Sequence, residues 1–167
     1  GEETATHHYE ILLAVRDESG ELMSPQVFLD SAERYGFVDV VDRWVVQETF
    51  RWISSLMDSR HETPELAINL SGTSLCDDRF LDFLLEQISE YGVGTSKLCF
   101  EITETGPLES MTKAADFIRA LRNIGCSFAL DDFGTGFAGY EYLRELPVDY
   151  VKIDGTFIRG IKGNERD

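Results

Sequence analysis

Long hydrophobic runs, cysteine and positive charge are all scarce in this sequence. No apolar run approaches the length of about 18 residues that marks a membrane-spanning helix, and no secretory signal is visible. The three cysteines lack a CxxC spacing and give neither a zinc pattern nor a disulfide framework. With 15 basic against 31 acidic residues, the net charge is −16, and such a field repels the phosphates of DNA and RNA. We therefore expect a cytoplasmic domain that binds no nucleic acid.

Apolar residues are plentiful enough for one sizeable core. They make up 43% of 167 residues, which fold most simply as a single domain. Strand-like runs alternate with helical patterns, as is typical of a parallel sheet, and periodicity leaves both a barrel and an open doubly wound sheet possible. The predicted strands are Tyr9–Val15, Glu65–Leu70, Lys97–Thr103, Ser127–Leu130 and Tyr150–Ile153, and the predicted helices are Pro25 to Gly36, Val38 to about Met57, Asp77–Tyr91, Leu108–Asn123 and Ala138–Arg144.

Four consecutive predicted strands carry polar side chains where they end. In barrels and in open α/β sheets, functional groups collect at the carboxyl ends of the strands. Each group also has an ordinary interpretation: Asn69 as a turn former, Glu104 as a helix cap and Lys152 as a solvated lysine. Asp154 precedes a glycine and is left out of the predicted site, because it can simply shape a turn. The side chains in strand order are Asn69, then Glu101 and Glu104, then Asp131 and Asp132, then Lys152 and Asp154.

The adjacent carboxylates Asp131 and Asp132 are the most informative pair in the chain. They repel each other unless a cation, a base or a shared proton lies between them, although a helix cap followed by a turn is the plainer alternative. Oxygen ligands without Cys or His suit Mg²⁺, Mn²⁺ or Ca²⁺ rather than Zn²⁺. Two such ions about 3.5–4 Å apart can clamp the attacking and leaving oxygens of a phosphoryl displacement, and a nearby lysine can orient the attacking water. The predicted reaction class is metal-dependent phosphodiester hydrolysis.

Five segments, in order, resemble the motifs of the EAL domain family. The resemblance implies a modified TIM-type (β/α) barrel that hydrolyses cyclic di-GMP to linear pGpG with Mg²⁺ or Mn²⁺ at a two-metal site, Ca²⁺ being inhibitory. It implies metal ligation by Glu10, Asn69, Glu101 and Asp131, a second metal on Asp132, Lys152 near the attacking water, and Glu104 tethering the loop after Asp132. The segments are Tyr9-Glu-Ile-Leu-Leu13, Ile68-Asn-Leu-Ser71, Phe100-Glu-Ile-Thr-Glu-Thr105, Leu130-Asp-Asp-Phe-Gly-Thr-Gly136 and Leu146-Pro-Val-Asp-Tyr-Val-Lys-Ile-Asp154.

Glu10 differs from the other ligands because it precedes its apolar run instead of following it. For Glu10 to reach the same edge, we expect its strand to run antiparallel to its neighbours. Five strands are predicted, whereas a closed eight-stranded barrel typically takes about 250 residues. The predicted fold class is thus α/β, a modified TIM-type barrel with one strand antiparallel, incomplete in this chain. We expect residues 1–167 to form a partial EAL domain, truncated at both ends.

Departures from the family pattern leave two functions open. Ile11 replaces the Ala of the Glu-Ala-Leu motif, and Ala14 stands where the family has an Arg that grips a ligand phosphate. Losing that two-pronged donor should weaken nucleotide binding by about 1.5–3 kcal/mol. One hypothesis is a cyclic di-GMP phosphodiesterase, impaired in this chain; the other is a degenerate EAL domain that senses the nucleotide or docks onto a protein. The resemblance also makes plausible a homodimer through the loop and helix after Asp132, and a neighbouring sensory or GGDEF domain in a parent protein that could be membrane-anchored.

Overall fold

Strands and helices alternate along the chain, largely where the periodicity predicts them. The computed structural model describes residues 8–57, 64–103, 108–134 and 139–156. The sequence also predicts a short helical turn over residues 157–161, which lie outside the described residues. The elements in chain order are β1 (His8–Ile11), β2 (Val15–Arg16), β3 (Leu22–Met23), α1 (Pro25–Arg34), α2 (Val38–Met57), β4 (Glu65–Asn69), α3 (Gly72–Leu75), α4 (Asp78–Tyr91), a 3-10 turn (Thr95–Lys97), β5 (Leu98–Thr103), α5 (Met111–Asn123), β6 (Ser127–Phe133), α6 (Gly139–Glu145) and β7 (Tyr150–Ile153).

Five of the strands form one curled parallel sheet in the order β1-β4-β5-β6-β7. Each neighbouring pair is parallel, and a helix lies between the consecutive strands β4, β5, β6 and β7 in the chain. This is the architecture of an incomplete TIM-type α/β barrel, as the sequence predicts. Because all of these strands run in one direction, their carboxyl ends meet at a single edge of the sheet.

The prediction that the strand of Glu10 runs antiparallel is wrong. β1 pairs with β4 in parallel, with Glu10 opposite Ala67 and Ile11 opposite Ile68. The predicted strand extended to Val15, but the sheet pairing stops at Ile11, so Glu10 is the last residue but one of the strand. It therefore reaches the carboxyl edge without any reversal of direction.

The segment after β1 forms an antiparallel pair of short strands, β2 and β3. Val15 pairs with Met23 in a two-stranded ribbon separate from the main sheet. Its turn is closed by Asp17, whose Oδ1 accepts hydrogen bonds from the backbone N–H groups of Ser19 (2.9 Å) and Glu21 (3.0 Å). The turn over residues 17–20 therefore joins two short strands outside the barrel sheet.

The hydrophobic core lies between the sheet and the helices on its outer face. Side chains alternate between the two faces along each strand, as the pleat requires. The larger apolar residues of β4, β5 and β6 are buried against α2, α4 and α5, with Phe128 in ring contact with Phe100 and Phe117. The inner face instead carries a patch of small buried residues, Ala67, Cys99 and Ala129.

Local signals fix the ends of the helices that cover the sheet. Asp77 caps α4 by accepting from the N–H of Arg79, and Ser110 caps α5 by accepting from the N–H of Lys113. α4 ends at Gly92, whose φ of +62° is a left-handed conformation that favours glycine. Among the described residues, no helix is long and apolar enough to cross a membrane.

Candidate functional site

Charged side chains from four strands converge on Lys152 at the carboxyl edge of the sheet. Lys152, on β7, places its Nζ 2.8 Å from Oε2 of Glu101 and 2.9 Å from Oδ2 of Asp131. Its distance to Oε2 of Glu10 is 3.3 Å. The three carboxylates, which lie on β1, β5 and β6, therefore share the ammonium group of Lys152. The predicted site residues Glu10, Glu101, Asp131 and Lys152 lie together.

Asn69 completes this cluster from the end of β4. Its Nδ2 lies 3.4 Å from Oε1 of Glu10, and its backbone is paired in register with Glu101. The side-chain amide therefore faces the same carboxylates. Its oxygen is an additional hard donor of the kind that divalent cations accept.

Lys152 is held in its charged form. Burial alone would lower its pKa, but hydrogen bonds to Glu101 and Asp131 outweigh that effect and raise the pKa above its ordinary value. In this arrangement Lys152 donates hydrogen bonds and balances the negative charge of the carboxylates.

Glu101 is the buried member of the cluster, with 2% of its surface exposed. Burial raises the pKa of its carboxyl group, and the hydrogen bond and charge of Lys152 act in the opposite direction. A buried carboxylate needs compensating charge. Lys152 supplies that charge here, and a metal cation would supply it as well.

A β-bulge in β6 separates the two adjacent aspartates. Leu130 is opposite Val151 and Phe133 is opposite Ile153, so two residues of β6 face the one residue of β7 between those positions. Asp132 takes up the extra length with a φ of +54°, the one positive φ of a non-glycine residue in the described segments. Oδ1 of Asp131 accepts the N–H of Asp132 at 2.8 Å. The bulge thus allows both aspartates to lie beside the cluster.

The second aspartate has its own electrostatic environment. Burial raises the pKa of Asp132, and the negative charges of Asp131 and Asp154 raise it further, against the effect of Lys152. Asp154, which sequence reasoning left out of the site, therefore belongs to its electrostatic surroundings. Its carboxylate also accepts the N–H of Thr156 at 2.7 Å, so the predicted turn-forming role holds too.

The carboxylates are spaced to hold a metal ion. Glu10, Glu101 and Asp131 each offer an oxygen, and the three oxygens lie within 4.8 Å of one another. The same three carboxylates hold the ammonium group of Lys152, so the cluster already surrounds a cation. Carboxylate and amide oxygens select hard divalent cations.

A cavity on the inner face of the sheet leads to this cluster. Its volume is about 400 Å³ and its walls include Glu101 and Lys152 together with the small residues Cys99 and Ala129. Because these inner-face residues are small, the sheet leaves open space beneath the charged groups. From Glu101 and Lys152 the cavity extends toward the amino ends of the strands, where His8, Glu65 and Lys97 line it.

Two residues singled out in the sequence are not among the members of the described cluster. Glu104 falls outside the described residues. Ala14 is exposed in the coil after β1, beside a groove of about 350 Å³ that Trp44 and Trp52 also line. Its methyl group offers no donor to a ligand in this position.

Sequence reasoning missed a buried carboxylate that contacts the turn after Asn69. Asp42, on α2, accepts hydrogen bonds from Ser71 and Ser74, just after the strand that carries Asn69. A charged residue beside Val41 and Val45 on a helix with a buried face was the signal that could have found it. The bulge at Asp132 left no comparable signal, since a positive φ at aspartate cannot be seen in a single sequence.

Comparison with known protein families shows which family the chain belongs to. Residues 2–167 match the EAL domain. The chain belongs to the EAL domain family. It is 38% identical over 167 residues to the cyclic di-GMP phosphodiesterase PdeB of Shewanella oneidensis, and 38% identical over 162 residues to the cyclic di-GMP phosphodiesterase PdeF of Escherichia coli.

A solved EAL-type structure shares the fold. The PaMucR phosphodiesterase in complex with c-di-GMP superimposes with a TM-score of 0.79 at 28% identity, covering 93% of this chain and 63% of the other. The matches to PdeB and PdeF cover 100% and 96% of this EAL domain, but only 19% and 21% of those proteins. The chain thus spans about a fifth of the length of these curated relatives.

Proposed function

We propose that this EAL domain hydrolyses cyclic di-GMP to linear pGpG in a reaction that depends on Mg²⁺ or Mn²⁺. The observation that carries the proposal is the three-carboxylate cation site of Glu10, Glu101 and Asp131 at the carboxyl edge of the sheet. Relatives named cyclic di-GMP phosphodiesterases, and a phosphodiesterase solved with c-di-GMP, support the substrate. One P–O ester bond is broken as water adds to phosphorus, which opens the ring.

The residues of the cluster take distinct parts in this proposal. Glu10, Asn69, Glu101 and Asp131 would hold one cation, and Asp132 would serve a second. Divalent ions bound there would polarise the phosphate and lower the pKa of water. Lys152 would donate a hydrogen bond to the attacking water or to a phosphate oxygen. The role of Glu104 as the tether of the loop after Asp132 stays a prediction, as do inhibition by Ca²⁺ and a cytoplasmic location.

A second candidate function is nucleotide sensing without turnover. Ala14 favours it, because the exposed methyl group replaces the arginine with which the family pattern grips a ligand phosphate. The retained carboxylate cluster favours the enzyme, since a pure sensor needs fewer cation ligands. The two functions differ in whether bound nucleotide is converted.

Association through the α6 region is also proposed. Tyr140 and Leu143 of α6 are 76% and 41% exposed, which leaves apolar surface available on this helix. A homodimer through this helix, and a neighbouring sensory or GGDEF domain, are the partners that we expect besides cyclic di-GMP.

The deciding experiment follows conversion of cyclic di-GMP by chromatography in the intact protein, with Mg²⁺ or Mn²⁺, and measures binding in Ca²⁺ alongside. We expect pGpG to form, and Asp131→Asn to reduce its formation by at least about 100-fold, the upper range for outer-shell changes at metal sites. The matched control is Asp116→Asn on the exposed face of α5, where the carboxylate pairs with Arg119 and is not a member of the cluster. Tight binding of cyclic di-GMP without turnover would contradict the enzyme proposal and support nucleotide sensing. Unchanged turnover in Asp131→Asn would refute the cation site.

A further inference from the structure

A buried carboxylate outside the metal cluster holds the turn that follows Asn69. Asp42 is 6% exposed, and its Oδ2 accepts three hydrogen bonds from this turn. They come from the backbone N–H of Ser71 (3.0 Å), the hydroxyl of Ser71 (2.6 Å) and the hydroxyl of Ser74 (2.7 Å). α2 is thereby fastened by a charged acceptor to the chain that leaves β4.

Ser71 relays this contact into the backbone. Its Oγ donates to Asp42 and also accepts the N–H of Ser74 at 3.2 Å, so it is the N-cap of α3. One side chain thus joins the carboxylate to the first turn of the helix. Both contacts hold the chain between β4 and α3.

Asn69 lies between two restraints as a result. On the sheet side, Leu70 donates its N–H to the carbonyl of Glu101 at 2.9 Å, and Asn69 itself is in register with Glu101. On the helix side, Ser71 is fixed by Asp42, two residues after Asn69. The side chain that faces Glu10 is carried by a backbone that is held at both ends.

Stability alone does not explain a charge at this position. Burial raises the pKa of Asp42, which shows that the charged form is desolvated. Replacing buried charges by packed apolar residues is often neutral or stabilising. A carboxylate oxygen can accept several strong hydrogen bonds from one turn, which a packed apolar side chain cannot do.

We propose that Asp42 is a positioning residue of the metal centre, which orients Asn69 by clamping Ser71 and Ser74. The inference rests on the proposed function, because it needs the cation site to which Asn69 contributes. Outer-shell partners that orient metal ligands change metal affinity by about 10–100-fold when they are removed. Asp42 acts through the β4–α3 turn and contacts none of the carboxylate ligands.

The test is the affinity of the intact protein for Mn²⁺, read from the electron paramagnetic resonance of the free ion. Asp42→Ala should weaken binding by about 10–100-fold, while Asp42→Asn should restore much of it, because its amide oxygen can still accept. The matched control is Ile53→Ala, a fully buried residue of the same helix that is remote from the turn. It should lose about 2–5 kcal/mol of stability and keep its Mn²⁺ affinity when measured below its unfolding transition.

The outcomes separate this inference from the proposed function. If the wild type binds no Mn²⁺, the metal centre fails and this inference fails with it. If the wild type binds Mn²⁺, Asp131→Asn does not, and Asp42→Ala matches Ile53→Ala, only the role of Asp42 is refuted. Should Asp42→Ala not fold, Ser71→Ala replaces it: a smaller loss of affinity in the same direction supports the clamp, and wild-type affinity refutes it.

Discussion

The two faces of the parallel sheet are built from alternate residues of the same strands, yet they differ in the size and polarity of their side chains. On β6, Phe128 and Leu130 face the helices and are fully buried, whereas Ala129 and Asp131 face the concave side. The outer face buries large apolar groups, which is where most of the free energy of folding arises. The inner face carries small residues in the middle of the strands and charged residues at their carboxyl ends.

This difference shows that one strand can supply scaffold and chemistry independently. Because successive side chains point to opposite faces, residues one position apart should differ in what they control. Substitutions on the outer face should change stability, and those on the inner face should change cation and ligand binding. The predictions below test that separation, beginning with the largest expected effect.

The first prediction concerns the outer face. Phe128→Ala should lower the free energy of unfolding by about 3–5 kcal/mol, since it removes a fully buried ring that contacts Phe100 and Phe117. Its neighbour on the inner face provides the comparison: Ala129→Gly should cost only about 0.5–1 kcal/mol. Chemical denaturation measures both values. Equal losses of unfolding free energy would show that the outer face does not contribute more to stability than the inner face.

The second prediction concerns the buried carboxylate of the inner face. Glu101→Gln should weaken Mn²⁺ binding by at least about 100-fold, beyond what outer-shell changes produce. It should cost less stability than Phe128→Ala, because Lys152 keeps its contacts with Asp131 and Glu10. Titration with Mn²⁺ and chemical denaturation of the same variant measure both quantities. A variant that loses stability but binds Mn²⁺ normally would make Glu101 part of the scaffold.

The third prediction compares both faces with the coil after β1, where Ala14 lines the groove beside Trp44 and Trp52. Ala14→Arg should tighten cyclic di-GMP binding by about 1.5–3 kcal/mol, or roughly ten- to a hundredfold, through a charged two-pronged contact with phosphate. Stability should hardly change, because Ala14 is exposed. Calorimetry in Ca²⁺ measures the affinity. Ala14→Lys is the matched control, and it should gain less because lysine lacks the planar fork; an equal gain would mean that charge alone is responsible.

Much of this separation is visible in the sequence, because alternation and strand ends are local signals. Tyr150–Ile153 was predicted with the bounds that the structure has, and Asn69, Glu101, Asp131 and Lys152 were predicted to meet at one edge because parallel strands end together. Glu10 was placed correctly for the wrong reason, since the extent of a strand depends on its partner as well as on its own apolar run.

Tertiary contacts account for what the sequence did not indicate. The bulge at Asp132 depends on the register between two strands that are joined through α6. The clamp of Asp42 joins residues 29 and 32 positions apart, so no local pattern contains it. Such contacts can be predicted only once the elements have been packed together.

The last prediction tests whether the inner face carries backbone strain that the outer face avoids. Asp132 has a φ of +54°, a conformation that costs a residue with a Cβ about 1–2 kcal/mol. Asp132→Ala should therefore be less stable to chemical denaturation than Asp132→Gly, by about 1 kcal/mol. Both variants lack the carboxylate, so their difference isolates the backbone.

The adjacent residue provides the control with the opposite sign. Asp131 has no positive φ, so Asp131→Ala should be more stable than Asp131→Gly by about 0.5–1 kcal/mol, as in an ordinary strand. A reversal of sign between two neighbouring positions can arise only from the left-handed residue of the bulge. If alanine is favoured at both positions, the left-handed conformation of Asp132 carries no measurable backbone cost.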